Sequence, residues 1–144
     1  MENIQLSENF YLMEFLESQT ARRTGIVEQF SPPDYVVNNL KLLCKNVLQP
    51  LRNKAGAITI SSGWRCDRLN KAVGGSPTSE HCYGMASDIK GIALTNKQLF
   101  DLIVELKLPY TQRIWEYGTK NNPAWVHVSY NQTNLKKQTL YIGI

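Results

Sequence analysis

Two runs, Ser62-Gly-Trp-Arg-Cys-Asp-Arg-Leu-Asn-Lys-Ala-Val-Gly-Gly-Ser76 and Ser79-Glu-His-Cys-Tyr-Gly-Met-Ala-Ser-Asp-Ile89, decide how this chain is read. Just before them, Ala57-Ile-Thr-Ile-Ser61 alternates with a period of two and predicts a strand that ends at Ser62-Gly63. Trp64 to Val73 reads as a loop and a short helix closed by Gly74-Gly75, Ser76 to Tyr83 as loop, and Met85 to Ile89 as a further strand. His81 and Asp88 therefore sit where a loop runs into a strand. Gly84 between them supplies the freedom to bring imidazole and carboxylate to one point.

The chain has two histidines, and the second lies in Trp125-Val-His-Val-Ser-Tyr130. Alternation sends Trp125, His127 and Ser129 to one face and Val126, Val128 and Tyr130 to the other, so one face is polar and aromatic as a cleft wall would be. Two neutral imidazoles and one carboxylate leave the fourth position of a tetrahedral zinc open to water, which separates catalytic from structural zinc sites. Spacing alone leaves another reading open, in which these histidines are hydrogen-bonded core residues.

Working outward, Ser7 to Ser18 places Phe10, Leu12, Met13, Phe15 and Leu16 on one helical stripe with Ser7 as cap. Pro32-Pro33 opens a longer helix to about Arg52, which Pro50 kinks or ends. Thr95-Asn-Lys-Gln98 has the form of a capping box, predicting a helix to about Leu106. Arg113 to Tyr117 and Ala124 to Tyr130 read as strands joined by a polar turn, with Leu140 to Ile142 as an edge strand. The sum is an α+β protein, with a small, mainly antiparallel sheet and helices packed on one side.

A chain of 144 residues is expected to form one domain, 1–144, and to be a monomer. With 42% hydrophobic and 19% charged residues it falls in the ordinary globular class, neither disordered nor membrane-embedded. Its net charge of +4 is mild and spread out, with no basic stripe interleaved with aromatics, so nucleic-acid binding is not expected. No run approaches the ~20 apolar residues of a membrane span, and no export signal opens the chain. Cys44, Cys66 and Cys82 are odd in number, irregularly spaced and without a Cys-x-x-Cys pair; they read as free thiols.

The string Ser-Gly-aromatic-Arg, Leu-Asn, Gly-Gly, Ser-x-His with six residues to Asp, and Trp-x-His occurs here in order and resembles the zinc D-alanyl-D-alanine carboxypeptidase family, especially its small phage and prophage, endolysin-like members. Leu6-Ser-Glu-Asn-Phe10, Ser18-x-Thr20-Ala21 and Pro50-Leu-Arg52 extend the resemblance over nearly the whole chain. It implies a zinc-peptidase fold of the hedgehog/DD-peptidase type. It further implies one Zn2+ per chain held by His81, Asp88 and His127, and hydrolysis of a peptide bond in bacterial peptidoglycan by a D,D-carboxypeptidase or an endopeptidase.

The same resemblance places Arg65 near the substrate, where a guanidinium can hold an oxyanion or a carboxylate through paired hydrogen bonds. Many relatives carry a proton-transferring acid three residues before the last histidine, but that position here is Ala124. Glu116, in Arg113-Ile-Trp-Glu-Tyr-Gly118, is the expected general base and acid, with Glu80 as second choice. Either carboxylate could instead orient a histidine. Ser79 is expected to support His81 or the substrate, and Trp125, Trp64, Tyr83 and Trp115 divide between cleft and core. Ala124 keeps a second class open, a non-catalytic wall-binding or virion structural protein that retains the zinc fold. Synthesis in the cytoplasm and action on the wall after release, in a phage or prophage setting, complete the expectation.

Overall fold

The computed structural model describes residues 2–144. Its spine is a five-stranded sheet made of β3 (Ile58–Ser62), β4 (Ala86–Gly91), β5 (Gln112–Glu116), β6 (Trp125–Ser129) and β7 (Gln138–Ile142), in the order β3-β4-β6-β5-β7. The first four strands pair antiparallel. The edge strand β7 runs parallel to β5, longer than the Leu140 to Ile142 segment that its apolar residues mark.

The helical part precedes and interrupts the sheet: α1 (Leu12–Leu16), α2 (Gln19–Thr24), α3 (Asp34–Leu43), α4 (Gln49–Ala55), α5 (Asp67–Ala72) and α6 (Asn96–Glu105). The capping box that opens α6 is present, with Thr95 Oγ1 accepting from Gln98 N at 3.1 Å and Gln98 Oε1 accepting from Thr95 N at 2.8 Å. No helix among the described residues is long and apolar enough to cross a membrane.

Two helix expectations are corrected. Ser7 does not cap a helix: a small hairpin of β1 (Gln5–Ser7) and β2 (Phe10–Tyr11) comes first, and α1 starts only at Leu12, where Glu14 reaches back to the Tyr11 amide at 2.8 Å. The Ser7 hydroxyl instead donates to Gln49 Oε1 at 2.7 Å. Pro50 does not end the second helix. A π turn, Cys44–Leu48, links α3 to α4, and this wider turn ahead of the proline accommodates a residue with no amide donor, so helical structure continues to Ala55.

One face of the sheet is apolar and the other carries the site. Ile89, Val126 and Val128 are fully buried in one contiguous core with Leu99, Phe100 and Ile103 of α6 and with Phe15, Leu40, Leu43 and Leu51. Each such side chain contributes about 1.5–3 kcal/mol relative to exposure. Because strand side chains alternate, Asp88, His127, Ile114 and Glu116 project from the opposite face.

Candidate metal centre

Asp88 and His127 are direct cross-strand partners in β4 and β6, and Ile114 of β5 faces His127 from its other side. Register alone therefore brings carboxylate and imidazole together, with Asp88 Oδ1 3.2 Å from His127 Nδ1. His81 arrives from outside the sheet, on a 3-10 turn, Glu80–Tyr83. Ser79 caps that turn by accepting from the His81 amide at 3.2 Å, and Gly84 ends it in the left-handed region at φ 74°.

The Ser-Gly-Trp-Arg run holds this turn in place. The Gly63 carbonyl accepts from His81 Nδ1 at 2.7 Å, the Arg65 amide donates to the His81 carbonyl at 3.1 Å, and the Trp64 indole donates to the Cys82 carbonyl at 3.1 Å. Beneath it lies Gln29, fully buried, whose side chain donates to the Leu16 and Trp64 carbonyls at 3.0 and 2.7 Å and accepts from the Cys66 amide at 2.9 Å. Nothing in the pattern around Gln29 marks it, since a glutamine reads as a surface residue.

A carbonyl can only accept, so His81 Nδ1 carries the proton and Nε2 faces Asp88 Oδ1 at 3.3 Å. A lone pair and a carboxylate oxygen at that distance repel unless a proton or a cation lies between them. His81 Nε2, Asp88 Oδ1 and His127 Nδ1 lie within 4.8 Å of one another. A tetrahedral zinc with bonds of about 2.0–2.1 Å separates its donors by about 3.3 Å, which the two distances to Asp88 match. The donor set fits a divalent cation, and no other group of this kind occurs among the described residues.

Electrostatics agree with an anionic Asp88. Burial alone would push its carboxyl up, but its electrostatic interactions with the His81 and His127 rings outweigh that and hold it well below the usual carboxylate range. Glu116 moves the other way: burial, aided by the negative charge of Asp88, raises it above the ordinary glutamate value, against a lowering contribution from its Trp125 hydrogen bond. That bond runs from the indole Nε1 to Oε2 at 2.6 Å. The Ala124 amide donates to the Glu116 carbonyl at 3.0 Å, which joins the two strands beside this carboxylate.

The three donors open into a cavity of about 610 Å³. Of the residues singled out from sequence, Arg65, Ser79, Glu80, His81, Asp88, Glu116 and His127 line it. Trp125 does not and acts on it through Glu116. Trp64 and Trp115 are core residues, and Tyr83 is exposed away from the cavity. Arg65 Nε, Glu80 Oε1 and His127 Nε2 are buried polar atoms without a protein partner, and the residues that carry them share this cavity. The cavity walls also include Thr111, Gln112, Tyr117 and Asn134, which carry no motif signal. The three cysteines are free.

A buried His-Asp-His donor set opening into a polar cleft defines a candidate hydrolytic metal centre rather than a closed structural one. The family model for peptidase M15 matches residues 8–129, and the chain belongs to that family of zinc-dependent D-Ala-D-Ala carboxypeptidase-like enzymes. No curated protein matches the chain at a significant level. Membership makes the protein a peptidase of a zinc-dependent family.

Proposed function

We propose that the protein hydrolyses a peptide bond in the stem peptides of bacterial peptidoglycan, in the manner of an endolysin, with one zinc held by His81, Asp88 and His127. The observation that carries this reading is the convergence of three donor atoms from two strands and a separately braced turn, at the floor of a cleft that also contains a carboxylate with a raised pKa. When bound, zinc lowers the pKa of water from about 15.7 toward about 7 and polarises a carbonyl as a Lewis acid.

The chain's own residues do the rest. His81 is held in one tautomer by Gly63, which presents Nε2 for coordination. Glu116, diagonal to His127 across the β5/β6 ladder, takes a proton from the attacking water and delivers it to the leaving amine. Its raised pKa moves it toward neutrality, where both halves of that exchange are favoured. The Trp125 indole occupies Oε2 and leaves Oε1 for this work. Arg65, at the cavity wall, supplies a guanidinium for an oxyanion or a carboxylate. Ser79 and Glu80 support the turn that carries His81.

The test is incubation of purified cell wall with the zinc-loaded protein, Glu116→Gln and His127→Ala, scoring new amino groups and free D-alanine. The reading requires release by the unmodified protein and its loss in both variants. A zinc-loaded protein that binds wall and frees nothing would instead be a wall-binding module.

A further inference from the structure

The peptidase match ends at residue 129, yet part of the cavity wall lies beyond it: Asn134, Lys136 and Ile142 face the same space as His81, Asp88 and Glu116. This segment is built into the molecule. Thr111, itself 3% exposed, accepts from the Asn131 amide at 2.8 Å and donates its hydroxyl to the Asn134 carbonyl at 2.8 Å. The Lys137 amide donates to the Tyr110 carbonyl at 3.1 Å and the Gln138 amide to the Thr111 carbonyl at 2.9 Å, which delivers the chain into β7. The parallel register then sets Ile142 opposite Glu116. The loop's position over the cleft is thus fixed at both ends.

Lys136 is the lysine this loop brings to the cavity, and among the described residues Arg65 is the only other lysine or arginine on its walls. Lys136 is exposed and, like most lysines and arginines among the described residues, forms no salt bridge, so its ammonium is free to meet a ligand. Of the cavity's carboxylates, Asp88 faces both histidines, Glu116 faces the Trp125 indole and Glu80 keeps an unpartnered Oε1, and none of them pairs with Lys136.

We infer that Lys136 is a specificity-determining residue whose ammonium binds a carboxylate of the peptide in the cleft, making the C-terminal segment the wall that selects anionic substrate. The inference rests on the peptidase reading above. Stem peptides offer two carboxylates, that of an acidic residue and that of the C-terminus, and both present the same chemistry to an ammonium.

The experiment uses synthetic stem peptides in three forms: free acid, amidated on the acidic side chain, and amidated at the C-terminus. Each is given to the zinc-loaded protein and to Lys136→Met, Lys136→Glu and Lys137→Met. Binding to Glu116→Gln, with and without Lys136→Met, is measured by calorimetry. On the free-acid peptide, Lys136→Met is expected to raise KM roughly fivefold with kcat unchanged, and Lys136→Glu to raise it further. The effect disappears on the one amidated form that lacks the recognised carboxylate, Kd moves in parallel, and Lys137→Met behaves as wild type. Cleavage of all three peptides with KM and Kd unchanged in Lys136→Met, or changed equally for all three, overturns the role of Lys136 alone. Failure of the unmodified protein to cleave any stem peptide overturns the peptidoglycan reading and this inference with it.

Discussion

His81 Nδ1 donates to the Gly63 carbonyl at 2.7 Å, and this contact decides which ring nitrogen faces Asp88. Gly63 has no room for a side chain, because a Cβ there would lie 2.6 Å from the Cα and carbonyl oxygen of Phe15. Gly63→Ala must move the end of β3 or α1, and the carbonyl moves with it. The expected cost is about 1–3 kcal/mol of stability. Zinc affinity is expected to fall about 10- to 100-fold, the usual effect of losing a partner that orients a histidine ligand. Thermal unfolding and competition with a chromophoric chelator measure the two effects; an unchanged zinc affinity would sink the argument for the tautomer.

Gln29 joins three backbone groups from two segments far apart in sequence, all on buried residues. Gln29→Leu keeps the volume and removes every hydrogen bond, which strands buried donors and acceptors at about 1–3 kcal/mol each. A loss of at least about 2 kcal/mol is expected, which lowers Tm by about 4–8 °C for a chain of this size. Differential scanning calorimetry checks it. Zinc stoichiometry should not change.

Glu116→Gln is expected to retain zinc and lose about 10²- to 10⁴-fold in kcat on cell wall, the range associated with a positioned proton-transfer group. Retained activity would move the role to Glu80.

Trp125→Phe tests the tuning of the same carboxylate. The indole hydrogen bond lowers the Glu116 pKa, so removing it raises that pKa further. Since the base acts when ionised, activity falls as pH drops through this pKa. The acid limb of the kcat/KM profile should therefore move to higher pH in Trp125→Phe than in wild type. A limb at the wild-type pH would mean that the indole does not act through Glu116.

Much of this was legible in the residues themselves. The alternation in Trp125 to Tyr130 places His127 on the polar face of β6, and the strand at Met85 to Ile89 places Asp88 opposite it. The N-terminal hairpin was not legible: Phe10, Leu12, Phe15 and Leu16 satisfy a helical stripe, although Phe10 reaches the core from a strand. The far wall of the cleft was hidden for another reason. Thr111, Gln112, Asn134 and Lys136 are ordinary polar residues; bonding to Ser129 of β6 places the first two, and the parallel pairing of β7 with β5 brings the segment of the other two round the site. Long-range register of that kind leaves no local pattern.

Elemental analysis of the protein purified without chelators, beside His81→Ala, Asp88→Ala and His127→Ala, tests the metal centre most directly. The account predicts about one zinc per chain in the unmodified protein and little in any of the three folded variants. An unmodified protein free of zinc after exposure to it, or variants that all keep a full equivalent, would contradict the account.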